Sequence, residues 1–214
     1  MTDDPHADMP VERAGAQLID AAAAVVLVHG RGARATGMLD LARQLGRADV
    51  AYLAPQANRG TWYPQSFMAP IEANEPHLTA ALSKLEAVLG TVTESVPLDR
   101  TILLGFSQGA CLATEYAARN ADRYGGVVAF SGGLIGPEGT PREYEGSMDG
   151  TPVFFGCSDV DPHIPVDRVH ESASVFEELD GDVETRIYEG AGHTVLPDEL
   201  EYARELVASV AKAE

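Results

Sequence analysis

An α/β protein built on one mostly parallel sheet of six to seven strands, with helices on both faces, is the fold class this 214-residue sequence predicts. Three observations carry the prediction. Apolar runs of strand length recur at residues 25–28, 50–53, 102–104, 127–130 and 153–155, and 183–188 alternates as a strand does. Stretches of helical character separate most of them, and that alternation is the pattern of a parallel sheet. Most of the runs are continuous rather than alternating, as expected of strands covered on both faces.

In chain order, residues 1–14 open acidic and Pro-containing and are expected to be a disordered tail, followed by one domain over 15–214. A short edge strand is expected near 17–19. Strand 25–28 ends in His29-Gly30-Arg31-Gly32, a loop with two glycines, and a short amphipathic helix covers 38–45. Strand 50–53 is stopped by Pro55 and leads to an aromatic loop, 58–70, holding Trp62, Tyr63, Phe67 and Met68. A helix over 76–89 places Leu78, Leu82, Leu85 and Leu89 near helical spacing. Strand 102–104 passes through Gly105-Phe106-Ser107-Gln108-Gly109 into a helix over 110–119. Strand 127–130 precedes a polar loop, 134–150, too short to form a separate cap domain. Strand 153–155 runs into Ser158-Asp159-Val160-Asp161-Pro162-His163-Ile164-Pro165 and a helix over 166–179. Strand 183–188 is followed by Glu189-Gly190-Ala191-Gly192-His193 and a last helix over 198–212.

Composition narrows the function classes. A net charge of -18, from 33 acidic and 15 basic residues, argues against nucleic acid and anionic membranes as partners. The longest apolar run, 21–28, is too short to span a bilayer, so no membrane insertion is expected. Two cysteines, Cys111 and Cys157, make no disulfide framework, and a reducing cytoplasm is the simple reading. Thirteen Arg against two Lys on so acidic a chain suggest a salt-rich, halophilic cytoplasm. His6 lies in the predicted tail among Asp3, Asp4 and Asp8, where a solvated segment is favoured over a metal site.

The chemistry centres on Gly105-Phe106-Ser107-Gln108-Gly109, a G-x-S-x-G between strand and helix. A serine in so sharp a turn needs neighbours without Cβ atoms, and the turn lifts its hydroxyl clear of the sheet. In a parallel sheet ligands sit beyond the carboxyl ends of the strands. Ser107, Asp161, His193 and the His29-Gly30 loop each follow a predicted strand, so all four gather at that edge. A serine hydroxyl needs a base, and the base an orienting carboxylate. His193 is the expected base, because it follows the last strand in a glycine-rich loop, whereas His77 and His170 fall at or within helices. The carboxylate is Asp161 or Asp159: Asp161 is stiffened by Pro162, while Asp159 suits backbone N–H bonds of its loop. Oxyanion donors are expected at the Gln108 and Arg31 backbone N–H groups. His29 and His163 are candidate pocket residues; Trp62, Tyr63, Phe67 and Met68 either line the pocket or pack beneath the loop.

With His29-Gly30-x-Gly32, the G-x-S-x-G, Asp159-x-Asp161-Pro162-x-Ile164-Pro165 and Gly192-His193 in this order, the chain resembles the carboxylesterase/phospholipase family of α/β-hydrolases, which includes the acyl-protein thioesterases. The resemblance spans roughly residues 23–207. It implies an α/β-hydrolase fold with nucleophile Ser107, acid Asp161 and base His193. It also implies hydrolysis of esters or thioesters through an acyl-enzyme, with no metal and no cofactor. Arg31 stands where thioesterases of the family commonly carry Leu, and residues 65–71 suggest no long acyl channel, so a short acyl ester is the expected substrate. Thioesterase, lysophospholipase and dienelactone or lactone hydrolase are the alternatives with the same triad; a hydrolase-fold binding protein without activity is the alternative of another class. The expected partner is a small-molecule ester, with a homodimer left open.

Overall fold

The computed structural model describes residues 4–212. Among these residues seven strands form one sheet: β1 (Val11–Gly15), β2 (Ala23–Val28), β3 (Val50–Pro55), β4 (Thr101–Phe106), β5 (Gly126–Phe130), β6 (Pro152–Ser158) and β7 (Asp182–Tyr188). Their order across the sheet is β1-β3-β2-β4-β5-β6-β7; β1 runs antiparallel to β3 and every other pair is parallel. Strands β2, β3 and β5 are buried at every residue, which is why they read as unbroken apolar runs.

Among the described residues, five α-helices cover the two faces. α2 (His77–Thr93), α3 (Gln108–Arg119) and α4 (Val166–Glu178) pack on Val26, Leu103, Val127, Ala129 and Phe155. α1 (Ala35–Leu45) and α5 (Pro197–Val210) pack on Val25, Leu27, Ile102, Leu104 and Phe154. Successive strand residues thus feed opposite cores, as the two-residue period of a strand demands. The chain order strand, turn, helix delivers the ends of β2, β4, β6 and β7 to one edge.

Two expectations for the start of the chain are corrected. The edge strand lies at Val11–Gly15, not at 17–19, where Leu18–Asp20 forms a single 3-10 turn. Gly15 sets this exit: its φ is +76° and a Cβ there would stand 2.0 Å from the Val50 carbonyl oxygen. Nor is the described part of residues 1–14 a free tail. His6 is fully buried, and the Lys84 ammonium donates to the Ala7 and Met9 carbonyls at 3.2 and 2.5 Å. One buried side chain and a cation that satisfies two carbonyls hold a segment whose composition reads as solvated. Residues 1–3 of the expected tail lie outside the described residues.

Candidate active site

β4 ends in Ser107, and α3 begins at the next residue. Ser107 has φ 55° and ψ -123°, a conformation rare for any residue with a Cβ. Its flanking glycines are required by contact. A Cβ on Gly105 would stand 2.4 Å from the Gly109 carbonyl oxygen, and one on Gly109 2.1 Å from that of Val28. The Ser107 N–H donates to the Phe130 carbonyl at 2.9 Å, which ties the strained residue to β5.

Two loops bring partners to this serine. The Asp161 side chain, fully buried, accepts from the His163 and Ile164 N–H groups at 2.8 and 3.1 Å through Oδ1. Its Oδ2 lies 2.7 Å from His193 Nδ1. Burial alone raises the Asp161 pKa, but the His193 bond and the two N–H donors outweigh it and hold the carboxyl below its ordinary value. The ionised carboxylate accepts the Nδ1 proton, so Nε2 is left as an acceptor 2.8 Å from Ser107 Oγ. Asp159 does something else: its Oδ1 accepts from the Gly190 N–H at 2.7 Å and so anchors the loop that carries His193. Ser158 Oγ accepts from the Gly192 N–H at 3.0 Å in the same loop.

The loop after β2 approaches the serine closely, since a Cβ on Gly30 would lie 3.3 Å from the Ser107 Cβ. Among the described residues, neither the Arg31 nor the Gln108 backbone N–H donates to a protein acceptor. Both are free to serve an oxyanion. Their side chains act differently. The Arg31 guanidinium donates to the carbonyls of Tyr63, Pro64 and Gln65 at 3.0, 2.9 and 2.6 Å. The Gln108 amide accepts from the Trp62 N–H at 3.0 Å and donates to the Tyr63 carbonyl at 2.8 Å. Both expected oxyanion residues therefore grip the aromatic loop.

A cleft of about 500 Å³ opens over Ser107 and His193. Arg31, Gln108, Tyr63, Phe67 and His163 line it. The His163 ring stands edge-on to His193 with centroids 4.9 Å apart. Three expected pocket residues do not line it. Trp62 is fully buried, and its indole N–H donates to the His29 carbonyl at 2.8 Å. His29 is fully buried too: its Nε2 accepts from the Ala57 N–H at 3.0 Å, so Nδ1 carries the proton and donates to the Gly30 carbonyl at 2.8 Å. Met68, partly buried, packs against the helix-covered core. Each satisfies packing or backbone groups beneath the loop rather than facing substrate.

Phe106, Cys111 and Ile164 line the cleft and were not expected there. Cys111 was within reach of pattern reasoning: it sits four residues after Ser107, hence on the same side of the turn and helix. Burial pushes its thiol up to about 12, so it is an apolar wall and no nucleophile. His6 is the other residue that the sequence concealed. Its Nδ1 accepts from the Asn58 N–H at 3.1 Å, and its Nε2–H donates to the Trp62 carbonyl at 2.9 Å.

Known proteins resemble this chain in sequence and fold. A crystal structure of a phospholipase/carboxylesterase from Dyadobacter fermentans superposes with a TM-score of 0.90 at 39% identity, over 94% of this chain and 97% of that one. The Bacillus cereus carboxylesterase shares the fold at 18% identity, with a TM-score of 0.74 over 98% and 100% of the two chains. Acyl-protein thioesterase 1 of Saccharomyces cerevisiae is 27% identical over 213 residues, 88% of this chain and 93% of the yeast protein. The model of the Phospholipase/Carboxylesterase family matches residues 16–211, and the chain belongs to that family.

Proposed function

We propose that the protein is a serine hydrolase that cleaves carboxylic esters through an acyl-enzyme, with Ser107 as nucleophile, His193 as base and Asp161 as the carboxylate that orients it. The observation that carries this reading is the unbroken relay from Ser107 Oγ to His193 Nε2 at 2.8 Å and from His193 Nδ1 to Asp161 Oδ2 at 2.7 Å. Ser107 Oγ attacks the ester carbonyl while its proton passes to Nε2. Negative charge develops on the carbonyl oxygen and is met by the Arg31 and Gln108 N–H groups. The imidazolium, stabilised by Asp161, then gives its proton to the departing alcohol. A water molecule, deprotonated by His193, attacks the acyl-Ser107 ester; collapse releases the acid and restores the serine hydroxyl.

Short acyl chains, of about two to six carbons, fit best. Buried Tyr63, Phe67 and Cys111 wall the cleft, so methylenes that reach beyond it gain little of the roughly 0.8 kcal/mol that full burial of each would add. A thioester with the same acyl group meets the same machinery, in keeping with the likeness to yeast acyl-protein thioesterase 1. The two cysteines, both unpaired and buried, fit a reducing cytoplasm.

The test is Ser107→Ala assayed on p-nitrophenyl butyrate. Turnover should fall at least about a thousandfold while circular dichroism stays unchanged. A folded variant with near wild-type turnover would remove Ser107 from the reaction.

A further inference from the structure

We propose that the ester this site takes carries a carboxylate within a few bonds of the scissile carbonyl, and that Arg31 selects for it. This deepens the hydrolase reading above and rests on it.

The first observation is charge. The chain carries -18 overall, yet Arg31 lines the cleft and, among the described residues, no Asp or Glu does. Eight of the thirteen arginines pair with carboxylates: residues 43, 47, 119, 123, 142, 168, 186 and 204. Among the described residues Arg31 has no such partner, nor do Arg34 in the same loop and Arg59 in the neighbouring one. The two loops are joined, since the Gly32 N–H donates to the Gly60 carbonyl at 2.7 Å. Residues 21–39 and 50–71, which supply them, contain no acidic residue at all. An anion nearing so acidic a surface is repelled until it meets this wall.

The second observation is preorganisation. Three of the five guanidinium N–H donors are spent on the Tyr63, Pro64 and Gln65 carbonyls. Neutral carbonyls fix the group in place but leave its charge uncancelled, and two N–H donors remain. Ordering a free arginine on binding would cost side-chain entropy; here that cost is already met by the protein. The same residue offers its backbone N–H to the oxyanion, so the cation stands within one side-chain length of the reacting carbonyl. The donors left, Nε–H and one Nη1–H, lie on different edges of the guanidinium, so the group meets an anion as a single positive charge with one N–H, which matches a monoanionic carboxylate better than a phosphate dianion.

The experiment compares kcat/KM on two isosteric pairs by pH-stat. Monomethyl succinate against methyl levulinate puts the charge on the acyl side; O-acetylglycolate against acetoxyacetone puts it on the alcohol side. For at least one pair the charged ester should be favoured at least tenfold by the wild-type protein. Arg31→Gln should bring that ratio to one or below, and Arg31→Lys should keep most of it. The ratio is the readout because Arg31 also supplies an oxyanion donor, so absolute rates can fall in any variant. A wild-type ratio at or below one for both pairs overturns the proposal, as does a ratio that survives in Arg31→Gln. If Arg31→Gln does not fold, inhibition of the wild-type protein by succinamate against succinamide decides: tenfold tighter binding of the anion supports selection and equal binding overturns it. Turnover of the neutral esters that is lost in Ser107→Ala keeps the hydrolase reading intact whichever way the ratio falls; no turnover of any ester sinks both.

Discussion

The serine turn and the aromatic loop face one cleft but are held in different ways. The turn is fixed by its own sequence. Gly105 and Gly109 are needed because the strand, the helix and β2 leave no room for a Cβ, and Ser107 takes its positive φ from that crowding. The loop from Asn58 to Pro70 contains no long regular element. Its backbone is held by His6, Arg31, Gln108 and Asn74, which come from four other parts of the chain. A local motif can be strained and still be legible; a loop assembled from distant donors carries no such signature. Arg31 and Gln108 belong to both regions: their side chains hold the loop, while their backbone N–H groups, in the reading proposed above, serve the oxyanion.

Breaking the reacting side should have the largest effect. Asp161→Asn replaces the acceptor of the His193 Nδ1 proton and favours the wrong tautomer, so kcat should drop by about a thousand- to ten-thousandfold. Asp159→Asn only weakens the anchor at Gly190, and its loss should stay within about tenfold. Steady-state kinetics on one ester separate them; equal losses would mean that both carboxylates orient the imidazole.

A smaller effect is expected where the two regions meet. Gln108→Ala keeps the backbone N–H but strands the Trp62 N–H, whose acceptor is the side-chain amide, while the Tyr63 carbonyl keeps its bond from Arg31. With one buried group left unsatisfied, urea unfolding should show a loss of about 1–3 kcal/mol. Turnover should fall less than in Asp161→Asn. A Gln108→Ala protein as stable as the wild type would show that the loop stands without this grip.

Next comes the remote anchor. Burial holds the His6 and His29 imidazoles below the ordinary histidine pKa. As pH falls below about 6.5, the unfolded chain takes up protons that these folded-state rings refuse, so stability falls with pH through that window. Glu199 gives the opposite slope: burial raises it to about 7, so its contribution is lost as pH rises toward that value. A comparison of Tm between pH 7.5 and 5.5 for the wild type and His6→Gln isolates the histidine. The variant should start lower and lose fewer degrees; parallel curves would mean that His6 does not set the acid limb.

The smallest shift concerns the acidic surface outside the cleft. At about 0.01 M salt the Debye length is roughly 30 Å, and at about 1 M it is roughly 3 Å, so repulsion among 33 acidic side chains fades as KCl rises. Tm should climb by several degrees across that range, with activity retained, if the charge pattern belongs to a salt-rich setting. A flat or falling Tm would leave the acidity without that explanation.

Sequence by itself determined the six parallel strands, the serine turn and which serine, histidine and aspartate would meet, but it misplaced the antiparallel edge strand. Continuous apolar runs, glycines around a serine, and an aspartate and a histidine each following a strand are local signals, and the parallel topology sends them to one edge. Asp161 and Asp159 could be ranked because proline stiffens one of them. Only the tertiary structure decided that His29 and Trp62 support the loop instead of facing substrate, that Arg31 clamps three carbonyls, and that His6 is buried. The physical reason is common to all three. A polar side chain shows in sequence what it can donate or accept, but its partner is set by which backbone groups, tens of residues away, the fold leaves unsatisfied in the same place.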